Sequence, residues 1–130
     1  MSEIVLSSAK IEFNKSLRLV TISPVEGATI DADEYREQFK AAQQLTNGVP
    51  AGVLIKTAPF LNVTKAAREE SLKPEHLKYI LAQAIVVENL ANRIVGNFYI
   101  RFHQPTVPTK LFTNQEDALQ WLQVKIKSAV

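Results

Sequence analysis

The chain contains no cysteine, which excludes disulfide bonds, thiol nucleophiles and thiolate metal sites. Its four glycines never cluster, so neither a phosphate-cradling loop nor a dinucleotide-binding turn is present. The net charge of +2 is too small to indicate a nucleic-acid partner. No apolar run approaches the ~20 residues that span a bilayer, and the first residues lack the pattern of a signal peptide. We therefore expect a cytoplasmic protein without an integral membrane segment.

The composition is that of an ordinary globular domain. Hydrophobic residues make up 46% of the 130 positions and charged residues 22%. This length is sufficient to bury one hydrophobic core. We expect residues 1–130 to form a single domain.

The first part of the chain predicts a hairpin followed by a helix. Residues 11–13 and 17–22 carry apolar side chains at every second position and flank a turn-prone trio. Asp31 and Glu34 have the spacing of a capping box, which predicts that a helix begins there. Asn47 and the glycine after it predict the end of this helix, because both residues tolerate the left-handed conformation that often terminates helices.

The middle of the chain predicts two strands separated by short helical pieces. Ala51–Lys56 is a short apolar run that favours a central strand. Thr64 is positioned to cap one short helix, and Pro74 to open another. Residues 82–88 are continuous and β-branched in part, which is typical of a strand covered on both faces.

The last part predicts a helix, a strand and a second helix. Asn89 starts a helical pattern over residues 89–98, and prolines 105 and 108 end it. Thr109–Phe112 predicts a short strand. Thr113 and Glu116 have capping-box spacing. The final helix carries an apolar stripe made of Ala118, Leu119, Leu122 and Ile126.

The predicted element order is β-β-α-β-α-β-α-β-α. Strands that alternate with helices pair mostly in parallel and are covered by those helices, whereas the opening hairpin adds an antiparallel edge. The sequence therefore predicts an α/β fold with a mixed sheet of four or five strands.

A set of residues between Ala84 and Leu122 carries a family resemblance. Its members are Ala84-Ile85-Val86-Val87, Arg93, Gly96-Asn97-Phe98, Pro105, Pro108-Thr109-Lys110-Leu111-Phe112, Glu116, Ala118, Leu119, Trp121 and Leu122. With the element order, this set resembles the SpoIIAA-like fold of anti-sigma-factor antagonist (STAS-type) domains. More closely, it is similar to small bacterial STAS-like proteins that have no assigned activity.

We expect a non-enzymatic binding or regulatory module, and the resemblance implies that its partner is another protein. Phospho-regulated members of the wider fold carry a hydroxyl residue where this strand meets its helix, and a helix N-terminus accommodates the added phosphate. Here the junction is Glu88-Asn89-Leu90. We therefore expect no phosphorylation switch at this junction, with Asn89 acting as an ordinary N-cap.

The candidate partner-binding residues are Asn89, Leu90, Arg93 and Asn97. Arg93 and Asn97 are four positions apart and share one helix face. Their helix follows a probable central strand, and α/β sheets usually bind ligands at the carboxyl ends of their strands. Arg93 would supply charge-assisted recognition and Leu90 an apolar anchor. In the alternative, Arg93 pairs with a carboxylate and Asn97 caps a loop.

A second hypothesis is a small apolar-ligand or lipid carrier. The resemblance implies it, because some relatives of the fold hold apolar molecules between helices and sheet. Phe60 and Leu61 lie in an apolar loop that would line such a pocket. Homodimerisation is a further form of partnership.

The sequence favours no catalytic site, cofactor or metal. His76 and His103 lack an acidic partner at ligand spacing, so we expect surface or structural roles for both. Glu69 and Glu70 adjoin each other on a probable helix and indicate solvated charge. No serine lies in a nucleophile elbow. We therefore expect the protein not to be an enzyme.

Trp121 with Lys125 and Lys127 admits two interpretations. An aromatic residue among lysines is found on helices that lie on membrane surfaces. The regular apolar stripe of the same helix instead favours docking on the sheet. We predict the docked arrangement.

Overall fold

The structure, a computed structural model, describes residues 2–87 and 106–130, which contain eight strands and four helices. The strands are β1 (Ser2–Val5), β2 (Ala9–Asn14), β3 (Leu19–Pro24), β4 (Thr29–Ile30), β5 (Ala51–Lys56), β6 (Asn62–Val63), β7 (Ile80–Val86) and β8 (Thr109–Phe112). The helices are α1 (Ala32–Thr46), α2 (Lys65–Ser71), α3 (Pro74–Leu77) and α4 (Gln115–Ala129).

Six of the strands form one mixed sheet in the order β1-β2-β3-β5-β7-β8. The first three pair antiparallel, and β3, β5, β7 and β8 run parallel to one another. Strands β4 and β6 form a separate two-stranded parallel sheet. The predicted mixed α/β fold is thus confirmed. The main sheet exceeds the predicted four or five strands because β1 pairs with β2 and extends the opening hairpin.

The turn of that hairpin lies later in the chain than the sequence predicts. Leu17 belongs to the turn and not to β3, because the side chain of Asn14 accepts a hydrogen bond from its backbone N–H at 3.2 Å. Arg18 then adopts the left-handed conformation with φ of 51°. Its carbonyl accepts the Gly52 N–H at 2.9 Å, so the turn is also joined to β5.

The predicted ends of α1 are confirmed. Asp31 and Glu34 form the capping box, and Asn47 ends the helix in the left-handed conformation. The Thr64 hydroxyl, at the N-cap of α2, donates to Asp31 Oδ1 at 2.7 Å. This bond, followed by the one from the Ala32 N–H, lowers the pKa of Asp31. One carboxylate therefore holds the N-termini of α1 and α2 together.

The N-cap of α4 differs by one position from the prediction. Asn114, rather than Thr113, accepts the Asp117 N–H at 2.9 Å, and its amide nitrogen donates to Asp117 Oδ2 at 2.9 Å. Asparagine satisfies both ends of this exchange, because its side chain carries an acceptor and a donor. The predicted capping box of Thr113 and Glu116 is therefore wrong in register, although the helix itself is confirmed.

The two long helices cover opposite faces of the main sheet. Helix α4 lies over β5, β7 and β8, and Trp121 packs at the margin of this core, so the predicted docking of α4 on the sheet is confirmed. Helix α1 lies over β1 and β2 on the other face. The α4 core consists of Leu19, Leu54, Ala82, Ala84, Val86, Ala118, Leu122 and Ile126. The α1 core consists of Ala9, Ile11, Val20, Ala41, Ala51 and Val53.

None of the helices in residues 2–87 and 106–130 combines the length and the apolar character that crossing a membrane requires.

Candidate functional site

The predicted partner-binding residues Asn89, Leu90, Arg93 and Asn97 lie outside the described residues, and so does His103. Their roles therefore stay predictions. The structure does describe the strand that leads into this segment. β7 ends at Val86 between two parallel neighbours, β5 and β8. The chain thus leaves the sheet at the carboxyl ends of its parallel strands, where α/β folds usually bind ligands.

Backbone and hydroxyl groups hold these strand ends together. The carbonyl of Val86 accepts from both the N–H and the hydroxyl of Thr57, at 3.0 and 2.8 Å. The Val87 N–H donates to the carbonyl of Phe112 at 2.9 Å. The ends of β5, β7 and β8 are therefore joined by hydrogen bonds that continue past the last residue of each strand pair.

The loop after β5 presents Phe60 to solvent. Its side chain is 82% exposed, and its backbone has φ of 58°, a left-handed conformation that is unfavourable for a bulky residue. Two backbone hydrogen bonds hold the loop, one before and one after Phe60 in the chain. The Gly27 N–H donates to the Pro59 carbonyl at 3.0 Å, and the Asn62 N–H donates to the Ala28 carbonyl at 2.9 Å. Phe60 is thus an exposed aromatic side chain on a fixed loop.

Two other exposed apolar residues lie at the same edge of the sheet, Val5 at the end of β1 and Val25 after β3. The Val25 N–H donates to the carbonyl of Ser8 at 2.9 Å, which joins the loop after β3 to the start of β2. We call Val5, Val25 and Phe60 the carboxyl-edge residues. Single exposed apolar residues are common on protein surfaces, and Leu17 and Val49 are exposed at the opposite ends of the strands, so Phe60 is distinguished by its 82% exposure and its left-handed backbone.

A buried ionic cluster lies between α1, α2 and α3. Glu70 is 5% exposed and His76 is 6% exposed. His76 Nε2 lies 2.6 Å from Glu70 Oε2, while Glu70 Oε1 accepts from Arg36 Nη1 at 2.9 Å and from Lys73 Nζ at 3.0 Å. Arg36 also contacts Asp33. We call Glu70, His76, Arg36 and Lys73 the ionic cluster.

Two predictions about this region are corrected by the cluster. His76 has an acidic partner after all, and Glu70 is buried rather than solvated. The partner acid lies six positions earlier, on a different helix, so the i, i+4 rule for one helix face does not find it. The apolar neighbours of His76, which packs edge-on against Tyr35 and Phe39, come from α1. The predicted structural role of His76 agrees with its buried position.

The cluster favours the ionised form of Glu70. The hydrogen bond with His76, followed by the one from Lys73, lowers the pKa of Glu70 from 4.5 to about 2, although burial opposes this shift. An ionised carboxylate can only accept, so His76 Nε2 is the donor of their hydrogen bond. His76 Nδ1 is left buried, without a hydrogen-bond partner among residues 2–87 and 106–130.

The same region has donor atoms that suit a metal ion. One ligand atom each from Glu70, Glu75 and His76 can be found within 4.8 Å of one another. Glu70 already accepts from two cationic side chains and from the histidine ring. A metal ion would have to displace these groups and to lie beside two positive charges. We therefore interpret the cluster as an ion-pair network that joins three helices.

An apolar groove opens beside the cluster, between α1 and strands β3, β5 and β7, with a volume of about 50 Å³. We call it the α1 groove. Its described lining carries no charged side chain. Three aromatic rings line it, those of Tyr35, Phe39 and Tyr79. The polar residues of the described lining are Gln38, Gln43, Thr46 and Gln83. Phe60 and Leu61, predicted to line a ligand pocket, are not among its described lining residues.

Comparison with solved structures identifies the fold. The chain is similar to an uncharacterized protein of the DUF3478 family with a SpoIIAA-like fold from Shewanella loihica PV-4. The sequences are 20% identical, the match covers 94% of this chain and 98% of that chain, and the TM-score is 0.65. A protein with unknown function from Arthrobacter sp. FB24 matches at 19% identity over 86% of this chain and 96% of that chain, with a TM-score of 0.32.

The predicted SpoIIAA-like fold is therefore confirmed. A search of curated proteins finds none that matches. The model of the family described as "Domain of unknown function (DUF7793)" matches residues 17–125. Because this match extends over more than half of the sequence, the chain belongs to the DUF7793 family.

Proposed function

We propose that this chain is a non-enzymatic, cytoplasmic protein-interaction or regulatory module of STAS-like type. The observation that carries the proposal is Phe60, an aromatic side chain that is 82% exposed on a loop with a left-handed backbone. Strained backbone conformations cluster at functional sites, and aromatic side chains are enriched among the residues that dominate binding energy at interfaces. The SpoIIAA-like fold supports a binding role in general terms.

The exposure of Phe60 and its fixed loop suit a residue that binds a partner better than one that stabilises the fold. Its ring contributes little burial to the folded chain, so hydrophobic stabilisation does not account for phenylalanine here. The hydrogen bonds of Pro59 and Asn62 fix the loop before any partner arrives. A pre-organised side chain loses less conformational entropy on binding, which increases affinity for a partner with an apolar pocket.

The predicted surface residues belong to the same proposal. These residues come after β7 in the chain. Strand β5, which pairs with β7, leads into the loop that carries Phe60. In this proposal, Phe60 and Leu90 supply apolar contacts and Arg93 supplies charge-assisted recognition of an acidic group. Asn89 and Asn97 complete the polar strip. The junction Glu88-Asn89-Leu90 carries no hydroxyl, so regulation would not use phosphorylation at that junction.

The test is a quantitative pull-down from the native cytoplasm with wild type, Phe60→Ala and Arg93→Glu. Val124→Ala is the matched control, because Val124 is an exposed apolar residue on α4. We expect one protein to be enriched by wild type and by the control, and to be lost with both test variants while their Tm values stay near that of wild type. A lowered Tm for Arg93→Glu would indicate a structural role for Arg93.

Equal enrichment by Phe60→Ala and wild type would show that Phe60 does not contact the partner. No enriched protein, together with a chain that is monomeric in sedimentation, would contradict the proposal. Self-association is measured in the same preparations by sedimentation. A homodimer that Phe60→Ala dissociates would identify the partner as a second copy.

The small-ligand carrier remains a second candidate because the α1 groove is apolar. Its volume of about 50 Å³ is far below the roughly 300 Å³ at which ordinary ligand pockets begin. This volume favours a molecule much smaller than a lipid. Mass spectrometry of the pull-down eluate checks the carrier, and a stoichiometric low-mass compound without any enriched protein would favour it.

A further inference from the structure

We infer that the outer side of β1 is an interaction surface for a second copy of this chain. The two β1 strands pair antiparallel, with Ile4 opposite Ile4 of the other copy, and the two main sheets become one continuous sheet. This inference goes beyond the protein-interaction module and does not depend on it, because β1 is separate from the loop that carries Phe60. The two surfaces can therefore be tested separately.

The outer side of β1 lacks the usual protection of a sheet edge. β1 is the first strand of the main sheet, and within residues 2–87 and 106–130 no strand pairs with its outer side. Natural sheets protect such edges with proline, lysine or a bulge, because an open edge pairs readily with another strand. β1 contains neither proline nor lysine, and its register with β2 is unbroken from Ser2 to Val5. The edge is therefore suited to strand addition.

The hydrogen bonds of the opening hairpin determine which backbone groups face outwards. In an antiparallel sheet, successive residues direct their N–H and C=O groups alternately to one side of the strand and to the other. The Leu6 N–H donates to the Ala9 carbonyl at 2.9 Å, on the side of β2. Ile4 is two residues earlier and bonds to the same side. Glu3 and Val5 therefore direct their backbone N–H and C=O groups outwards.

These outward groups select one register between two copies. A twofold axis perpendicular to the sheet relates the copies, so the centre of the pairing is one residue facing itself. With Ile4 at the centre, Glu3 lies opposite Val5 of the other copy, and each such pair exchanges hydrogen bonds in both directions. With Glu3 at the centre, two carboxylates lie directly opposite each other, which is destabilising. With Val5 at the centre, Glu3 lies opposite Ser7, which follows the end of β1.

The side chains beside β1 favour the same register. Ile4, Leu6, Phe13 and Leu45 are partly buried at the margin of the α1 core. In the register centred on Ile4, the two Ile4 residues form a non-hydrogen-bonded pair, in which side chains approach most closely. Each copy thus covers part of the apolar margin that the other leaves exposed. Identical apolar margins that meet about a twofold axis fit a second copy of this chain better than an unrelated strand.

Sedimentation at increasing protein concentration tests the pairing with wild type, Glu3→Pro and Glu3→Gln. Proline at position 3 removes an outward N–H that β2 does not use, whereas glutamine removes only the charge. We expect wild type and Glu3→Gln to dimerise, and the dissociation constant of Glu3→Pro to rise at least about tenfold, because one hydrogen bond per copy is lost. Phe60→Ala should still dimerise. A monomeric wild type, or a dimer that Glu3→Pro leaves unchanged, would overturn the inference.

Disulfide cross-linking tests the register, since the chain has no cysteine of its own. In Ile4→Cys the two Cα atoms lie about 4.5 Å apart, within reach of a disulfide. Val5→Cys is the matched control. Val5 is 71% exposed, but the two copies of this residue are diagonal neighbours about 7–8 Å apart, beyond that reach. We expect Ile4→Cys to form the covalent dimer faster. Faster cross-linking of Val5→Cys would overturn the register, and this comparison still decides if Glu3→Pro does not fold.

Discussion

The two faces of the main sheet differ in what they bury. The buried core beneath α4 consists of aliphatic side chains only. The face beneath α1 and its flanking helices holds every buried polar or charged residue of residues 2–87 and 106–130. These are Ser8, Gln38, Thr46, Glu70, His76 and Gln83. Buried polar groups need partners, and they stabilise a fold less than close-packed aliphatic groups do.

This difference indicates a division of labour. The buried core beneath α4 consists of leucine, isoleucine, valine and alanine, whose burial stabilises the fold. The α1 face combines the ionic cluster, a buried hydroxyl and an open groove, which are features that stability alone does not require. We therefore expect substitutions beneath α4 to act on stability, whereas the α1 face is where we expect a ligand to bind.

The largest change in the free energy of unfolding is expected for a substitution in the core beneath α4. Leu122 is fully buried in its core. Leu122→Ala should lower the free energy of unfolding by about 2–5 kcal/mol, because the lost contacts leave a cavity that the neighbours fill only in part. Urea denaturation measures this value. Val124→Ala on the same helix, at an exposed position, should change it by less than about 0.5 kcal/mol. Similar values for the two variants would show that α4 is loosely packed.

A smaller effect tests how tightly α4 approaches β5. A Cβ atom added at Gly52 would lie 2.4 Å from Ile126 Cδ1 and 2.8 Å from Ile126 Cγ1. Gly52→Ala should therefore destabilise the protein by about 1–3 kcal/mol through overpacking. A double-mutant cycle with Ile126→Ala provides the check. The double variant should be less destabilised than the sum of the single variants. Simple additivity would mean that the two residues do not touch.

The third prediction addresses the ionic cluster on the α1 face. Glu70→Gln should cost about 1–3 kcal/mol, because a charged acceptor is lost while Arg36 and Lys73, both half exposed, can still be hydrated. The pKa of Glu70 is lower in the folded state, so its stabilisation is complete above pH 4.5 and is lost as pH falls towards about 2.

Urea denaturation of wild type and Glu70→Gln at several pH values measures this dependence. The difference between the two proteins should shrink as the pH falls below 4.5 towards about 2. The difference cancels the titration of acids outside the ionic cluster, which both proteins share. A difference that persists unchanged at pH 2 would contradict the ionic role of Glu70.

The smallest effect on stability is expected at the carboxyl edge. Phe60→Asn should leave the free energy of unfolding unchanged or raise it by a few tenths of a kcal/mol, because asparagine tolerates the left-handed backbone better than phenylalanine. Thermal denaturation measures this change, with Phe60→Ala as the reference that keeps the backbone strain. A loss above about 1 kcal/mol would show that the ring packs within the fold.

Much of the local structure was predictable. Asp31, Asn47, Thr64 and Pro74 mark helix ends through side-chain or backbone chemistry within a few residues, and the structure confirms all four. Ala51–Lys56 and Thr109–Phe112 are strands with the predicted bounds. Patterns of this kind act over one turn or one strand, so they can be inferred without tertiary structure.

The candidate sites were less predictable, because they depend on contacts between distant elements. Arg36 and Glu70 are 34 positions apart, and nothing in the spacing of either residue indicates the other. The α1 groove combines residues of one helix with residues of three strands, so no single segment carries its signal. Phe60 lies in an apolar loop that suggested a pocket, whereas the hydrogen bonds of that loop direct the ring to solvent.

For residues 2–87 and 106–130, the sequence by itself determined the longer elements, most of their ends and the alternation that produces a mixed α/β sheet. It also carried the resemblance to SpoIIAA-like domains. Tertiary structure alone decided that Glu70 is buried against His76, that the Thr46 hydroxyl has no partner among residues 2–87 and 106–130, and that Phe60 is exposed. The physical reason is range. Caps and periodicity arise from neighbours along the chain, whereas burial and ion pairing depend on which elements the fold brings together.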